Sequence, residues 1–273
     1  MQLVSFDVFR SLGLPNTRFL KPEHFYAHTL ELQQADWVLF PEYWQLNALI
    51  YGLNCRVFPS QASYLIGHNK IEMTRAFQSV VPEHVPRTRI EPNSEQQREA
   101  LWQSMDLPFV AKLPKSSMGA GVWLITSRQD WFDYCARTEV LYVQEYLPID
   151  RDVRVVVVGD QVLAAYWRLQ AEGGFYNNLA RGGAIHTGIV PKQVTQLALR
   201  VAHHLGVNHA GFDIALVDNY PYLLEFNRLF GTAGIGSNNQ EFNKLLLDYL
   251  ARQSAPPKPR APQLGGNKSR RAA

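Results

Sequence analysis

Two cysteines in 273 residues, Cys55 and Cys135, form no CxxC pair and no Cys/His ligand spacing. That excludes a disulfide scaffold and a thiolate zinc module, and it favours a reducing compartment. No apolar run reaches the ~18 residues a membrane helix needs, and "MQLVSFDVFR" lacks the basic stretch and apolar run of a signal peptide. The expected location is the cytoplasm, with no membrane partner. Acid is missing from the end of the chain: from Ser254 onward there are Lys258, Arg260, Lys268, Arg270 and Arg271 but no Asp or Glu. The formal charge is +3 overall and −2 once those five are set aside. Basicity therefore belongs to the tail, and a specific nucleic-acid surface is not indicated. The tail, 253–273, is expected to be disordered, with contact to an acidic partner or RNA as its electrostatic use.

Nor does any Ser/His/Asp or Cys/His arrangement stand out. His186, His203, His204 and His209 have no acidic neighbours at metal-ligand spacing and read as packing or surface histidines. The apolar stripe Val194, Leu197, Val201, Leu205 reads as core.

What is present is ordinary globular composition, 46% hydrophobic and 12% aromatic, enough for a sizeable core. "LVSFDVF" and "ADWVLFPE" read as strands, and "YWQLNALIYGL" and "SYLIGHNKIEMTRAFQSV" as helical stretches. "KPEHFYAHTLELQQ" could be a helix or an irregular segment. A loop precedes "NSEQQREALWQSM", a helix capped by Asn93 or Ser94. "PFVAKL" and "GVWLITS" are strands, followed by the helix "RQDWFDYCART" and the strands "VLYVQEYL", "DVRVVVVGD" and "QVLAAYWRL". Gly159-Asp160 signals a hairpin. "KQVTQLALRVAHHLG" is an amphipathic helix closed by Gly206, then come the strands "GFDIALV" and "YLLEFN" and a last helix, "NNQEFNKLLLDYLAR". Hairpins alternate with helices, so the class is α+β, or mixed α/β.

"KLPKSSMGAGVWLI" puts Ser116, Ser117, Gly119 and Gly121 between two strands. A Walker loop or a dinucleotide fingerprint would lead into a helix. A strand–loop–strand flap remains, whose backbone N–H groups can meet phosphate oxygens, with Lys112 adding a point charge. Such a loop alone is more often an ordinary hairpin.

"GFDIALVDNYPYLLEFN" adds oxygen donors. Glu225 and Asn227, two apart on a strand, share a face. A five-residue connection from Val217 to Pro221 would set Leu216 opposite Tyr222 and Asp213 opposite Glu225, with Phe212, Ile214, Leu224 and Phe226 turned to a core. Three oxygen-bearing side chains suit a hard cation such as Mg²⁺; an exposed polar strand face is the alternative. Between these sites, "YVQEYLPIDRDVRVVVV" could meet a purine edge, with Asp152 or Glu145 reaching ribose hydroxyls. "NNLARGG" places Asn178 and Arg181 beside two glycines, and Arg181 offers a planar fork for phosphate or carboxylate. Arg168 could be a substrate contact or a paired structural arginine.

The order "HNK", "VAKLPKSSMGAGV", "VQEYL", "DVRVVVVGD", "NNLARGG" and "GFDIALV…LLEFN", from about Ser63 to Leu250, resembles the ATP-grasp superfamily and, within it, the RimK-like amino-acid ligases. The resemblance implies two α+β lobes clasping ATP, spanning 63–143 and 144–252, after a short N-terminal lobe, 1–62. It implies Lys70 and Lys112 on the nucleotide phosphates, with the flap from Ser116 to Gly121 above them. Gln144, Glu145, Tyr146 and Leu147 would form the adenine hinge, Asp152 would lie near the ribose, and Asn178 by phosphate and metal. Asp213, Glu225 and Asn227 would hold two Mg²⁺, with Mn²⁺ as a substitute. Arg154 and Arg181 would steady the acyl phosphate and transition state.

The implied activity is ATP-dependent carboxylate–amine ligation, joining an amino acid to a peptide or peptide-like acceptor, and a homo-oligomer is compatible with it. An ATP-binding scaffold and an ATP-grasp kinase are the alternatives. Departures cluster where an acceptor would lie. Ser116 replaces a usual glycine, "RLFG" follows Asn227 where relatives have a small residue and then Ser-Pro-Gly, and Glu42, Ala171 and Tyr176 stand at basic positions. Arg228 could meet a substrate carboxylate or make a solvent-facing salt bridge. The family's acceptor is therefore not carried over.

Overall fold

The computed structural model describes residues 1–115, 121–169, 184–231, 234–235 and 239–254, arranged on three sheets. Ser116, Ser117, Gly119, Ala171, Tyr176, Asn178, Arg181 and the tail beyond Ser254 lie outside the described residues. The first sheet is parallel, with Leu3–Ser5 (β1), Thr17–Phe19 (β2), Trp37–Leu39 (β3) and Val57–Phe58 (β4) in the order β2-β1-β3-β4. β2 and β4 are too short to show a period, and the sequence does not announce them. "KPEHFYAHTLELQQ" becomes a 3₁₀ turn, Pro22–His28, running into Thr29–Gln34 (α1). "YWQLNALIYGL" is not one helix but a 3₁₀ turn, Tyr43–Gln45, and a π turn, Ala48–Gly52.

"SYLIGHNKIEMTRAFQSV", expected as one helical stretch, is two helices, Gln61–Ile66 (α2) and Lys70–Val80 (α3). The break has a local and a tertiary cause. A Cβ at Gly67 would lie 2.6 Å from Ser63 O and 3.0 Å from the Phe226 ring, and Asn69 Oδ1 accepts from Ile71 N at 2.9 Å, a new N-cap.

The second sheet is antiparallel. Thr88–Pro92 (β5), Phe109–Lys112 (β6), Val122–Ile125 (β7) and Val140–Glu145 (β8) run in the order β5-β8-β6-β7. Glu95–Ser104 (α4), capped by Ser94, and Arg128–Cys135 (α5) cover it, and Trp131, Phe109 and Leu141 fill the space between. β5, expected as loop, is a half-buried edge strand.

The third sheet carries the largest core. Arg151–Val158 (β9), Gln161–Leu169 (β10), Ala184–His186 (β11), His209–Val217 (β12) and Tyr220–Asn227 (β13) run β11-β10-β9-β12-β13, all antiparallel. β9 is central and buried on both faces, which is why its valines are nearly unbroken. Val153, Val155 and Val157 meet α3 and Lys192–Leu205 (α6), through Met73, Phe77, Val194, Leu197 and Val201. Val156 and Val158 face the other way, toward Leu3, Phe230 and the Leu246 and Leu250 of Asn239–Gln253 (α7). Asp152 and Arg154 share this second face by strand alternation.

Candidate active site

Four strand positions place four charged groups. β9 pairs Asp213 of β12 with Arg154, and β10 sets Arg168 opposite Asp152. Arg154 Nε and Nη2 donate to Asp213 Oδ1 and Oδ2 at 2.5 and 3.2 Å. Arg168 Nε and Nη2 donate to Asp152 Oδ1 and Oδ2 at 2.7 and 2.6 Å, and Arg168 Nη2 also lies 3.0 Å from Asp213 Oδ2. All four are buried. Burial alone would push Asp213 up. The Arg154 and Arg168 guanidinia outweigh it, and the carboxyl ends below its ordinary range. Asp152, with its closest guanidinium on one side only, is pushed up to about 6 by burial. Arg168, weighed as either a substrate contact or a structural arginine, is a paired one.

The β12–β13 hairpin sets Asp213 opposite Glu225, as the spacing predicts, and Gly211 opposite Asn227. Its turn differs from the prediction. Asp218 and Asn219, both at positive φ (51° and 64°), make a two-residue turn, so Leu216 faces Pro221 rather than Tyr222. A bulge between Asp213 and Ile214 restores the register at the site. It also puts Leu223 in the core where Leu224 was expected, while Phe212, Ile214 and Phe226 are buried as predicted.

Glu225 is the accessible carboxylate, with 31% of its side chain exposed. Asn227 Nδ2 donates to its Oε1 at 3.4 Å, and Lys70 Nζ lies 3.8 Å from its Oε2. Lys70 begins α3, and its backbone N–H donates to Pro114 O at 3.1 Å, at the exit of β6. Lys112, 8% exposed, ends β6; its Nζ donates to Gln144 Oε1 at 2.8 Å and stands 5.7 Å from the Tyr142 ring centre. Gln144 Nε2 in turn donates to Thr88 Oγ1 at 2.8 Å, so the Gln144 amide is held between β5 and β6. Burial lowers both lysines from their ordinary range. Glu225 opposes this at Lys70, and Glu225 and Asp213 oppose it at Lys112. Two lysines and two carboxylates thus share one field.

Flap residues 116–120 fall outside the described ones, and the flap's base is closed by Leu113 N–H donating to Gly121 O at 2.7 Å, directly beyond the Lys112–Val122 pair. This is the strand–loop–strand arrangement read from the sequence. Glu145 N donates to Arg87 O at 2.9 Å and Arg87 N to Glu145 Oε1 at 2.6 Å, so the end of β8 is pinned. Leu147 O accepts from Ile149 N at 2.9 Å just beyond, in the stretch that also carries Tyr146. Asp152 has both oxygens on Arg168.

For a hard cation, the fit is good at two of the three predicted ligands. Glu225 and the Asn227 amide oxygen are oxygen donors on the accessible strand, whereas Asp213 would have to release an arginine to reach an ion. Among the described residues no group of three His, Cys, Asp or Glu forms a metal cluster by itself. Of the two uses weighed for Arg228, the salt bridge is not formed among the described residues. The guanidinium lies over the Tyr64 ring at 4.1 Å, and no carboxylate of the described residues comes within ion-pair distance. His209 is a packing histidine, stacked on Phe230 at 4.7 Å with Nδ1 donating to Arg228 O at 2.9 Å.

The family model of the RimK-like ATP-grasp domain matches residues 73–250. The ribosomal protein bS6–L-glutamate ligase of Escherichia fergusonii is 36% identical over 136 residues, 47% of this chain and 45% of that protein. The chain thus spans about half the length of the curated relatives it matches. Among solved structures, a RimK domain ATP-grasp protein from Sphaerobacter thermophilus superposes with a TM-score of 0.67 at 16% identity, covering 91% of this chain and 99% of that one. D-alanine–D-alanine ligase from Bacillus anthracis, complexed with ATP, superposes with a TM-score of 0.68 at 12% identity, covering 93% and 97%. These likenesses concern the fold, which is the ATP-grasp fold.

Proposed function

The chain belongs to the RimK-like ATP-grasp family, and from that premise we propose that it is an ADP-forming ligase that joins a carboxylate to an amine. A carboxylate oxygen attacks the γ-phosphorus of ATP, the bond to ADP breaks and an acyl phosphate forms. The amine nitrogen then attacks the acyl carbon, the C–O bond to phosphate breaks, and the nitrogen gives up a proton as the amide forms. Phosphorylation supplies the leaving group that a free carboxylate lacks, and the protein's part is positioning and charge.

One observation carries this reading: Lys70 Nζ at the start of helix α3 stands 3.8 Å from Glu225, and the Lys70 backbone is bonded to Pro114 O, two residues beyond Lys112 at the end of β6. Cations there would take phosphate oxygens. Arg154 is held on Asp213 beside them, oriented rather than free to swing. Arg181 would steady the acyl phosphate and Asn178 would lie by phosphate and metal, with Ser116, Ser117, Gly119 and Gly121 forming the flap. Gln144, Glu145, Tyr146 and Leu147 would border the adenine and Asp152 the ribose side.

Glu225 and Asn227 would hold Mg²⁺, with Asp213 behind them; a bound divalent ion neutralises charge on phosphate oxygens. Two ions, and Mn²⁺ as a substitute, are part of the proposal. So are the lobes 1–62, 63–143 and 144–252, a cytoplasmic location and a homo-oligomer. No helix among the described residues is long and apolar enough to cross a membrane. The glutamate ligase resemblance supports an amino acid joined to a peptide or peptide-like acceptor.

Incubation with Mg²⁺-ATP and pools of amino acids and dipeptides tests the reaction. ADP and phosphate in equal amounts, with an amide product detected by mass, are expected. Absence of ADP with every pool, or a phosphorylated product without condensation, would overturn it in favour of a scaffold or a kinase.

A further inference from the structure

A cavity of about 440 Å³ lies on the α7 side of the third sheet. It is within the size range of small-molecule sites. Its charged lining residues are Asp7 and Arg10, three apart in the loop that leaves β1, with Arg10 Nε 3.2 Å from an Asp7 carboxylate oxygen. Neither is deeply buried. The rest of the wall is mainly apolar, with Leu12, Leu163, Phe230, Ile235 and Phe242, and its uncharged polar groups are the amides of Asn239 and Asn243. Phe9, 90% exposed, stands at the edge.

The cavity adjoins the site already described. A Cβ built on Gly211 would fall 2.9 Å from Arg154 Nη1 and 3.1 Å from Phe230 Cβ. A wall residue of the cavity and a guanidinium of the charged site are thus separated by no more than a glycine. The absence of a side chain at 211 lets the two approach.

Resting on the ligase reading, we propose that this cavity binds the amine substrate, and that this substrate is an α-amino acid with an apolar side chain. Arg10 takes the α-carboxylate and Asp7 the α-ammonium, each exchanging its present partner for the opposite charge of the ligand. The apolar wall takes the side chain. A glutamate side chain would put a second carboxylate against Leu12, Leu163 and Phe230 with no cation but Arg10, already engaged, to receive it. The amides of Asn239 and Asn243 also line the cavity, but they carry no charge, and a half-buried carboxylate received by amides alone is held less well than one paired with a cation. The chemistry of this wall therefore separates the chain from a ligase that adds glutamate.

The test is a calorimetric titration of the full chain with leucine, phenylalanine and glutamate. It needs no turnover, so its outcome is independent of the ligase assay. Leucine or phenylalanine should bind saturably, at least about tenfold tighter than glutamate. Arg10→Gln, which loses a charge-assisted bond, should weaken that binding by roughly 10–100-fold while Mg²⁺-ATP affinity stays the same. Leu12→Arg, at a position 58% exposed and therefore tolerant of a long side chain, should move the preference toward glutamate. Tighter binding of glutamate to the unaltered chain, no saturable binding of the apolar amino acids, or binding indifferent to both substitutions would each overturn the proposal. If ADP is still released with an amino acid in those cases, the ligase reading stands and only the substrate assignment falls.

Discussion

Lys70 Nζ stands 3.8 Å from Glu225 Oε2, and the backbone of the same lysine is bonded to Pro114 O. One residue thereby ties the second sheet's loop to the third sheet's accessible carboxylate. Helix α3 packs on the third sheet through Met73 and Phe77, so the position of Lys70 follows that sheet.

Glu225→Gln removes the half-exposed carboxylate and keeps its shape. Turnover should fall by about 10²–10³, while unfolding free energy changes by less than about 0.5 kcal/mol. Steady-state ADP release and a denaturant melt check the two halves. Loss of fold along with activity would show that Glu225 is structural.

Asp213→Asn should behave differently. Both Asp213 oxygens are taken by guanidinia, and the carboxylate is buried. Weakening one partner leaves Arg154 and Arg168 with buried, poorly compensated charge. The expected loss is about 3–5 kcal/mol of stability, read as a shift in the denaturant midpoint. A stable Asp213→Asn protein without activity would restore it as a simple metal ligand.

Lys112→Met separates binding from folding in the opposite sense. Burial already disfavours the charged amine, which offsets part of the lost bond to Gln144 Oε1, so stability should fall by no more than about 1–3 kcal/mol. Mg²⁺-ATP binding should weaken by about tenfold or more, as measured by calorimetry. Unchanged ATP affinity would remove Lys112 from the phosphate site.

His209 gives the chain an acid-sensitive element. Burial holds its pKa at about 3 rather than 6.5, because the ring is caged by Phe40, Phe58, Phe230 and Phe242 and Nε2 has no partner among the described residues. The unfolded chain takes up that proton below 6.5 and the folded one does not, so its contribution is complete above pH 6.5 and is lost as pH falls toward 3. In a melt series over that window, His209→Phe should show a shallower dependence on pH, by about one proton. Equal slopes in both proteins would place His209 in water.

Much of this was legible because strands of the site keep simple periods. Asp213 and Glu225 could be paired from hairpin spacing, and β6–loop–β7 from the absence of helix after Gly121. What could not be read were cross-chain pairings. Nothing in "YWRLQ" says that Arg168 will meet Asp152, since the partner depends on the β9–β10 register. The bulge at Asp213 leaves no mark in the sequence for the same reason, and it compensates for the two-residue turn, so that Asp213 still faces Glu225. Asp7 and Arg10 carried one local sign, an i,i+3 acid–base pair after a strand, but their wall comes from α7, more than two hundred residues away. α2 and α3 read as one stretch because their apolar spacing continues, while the break has both a local cause, Ser63 O and the Asn69 cap, and a tertiary one, the Phe226 ring against Gly67.

Asn243 Nδ2 donates to Leu12 O at 2.9 Å, and Trp37 Nε1 to Ser254 Oγ at 3.4 Å. The last helix therefore seals the first sheet. During synthesis, β1 to β4 must wait for α7 to leave the ribosome before the wall of Phe242 and Leu12 can close. A nascent chain halted before Asn239 would display that apolar surface to chaperones and could offer no closed amino-acid cavity, however complete its nucleotide-facing strands.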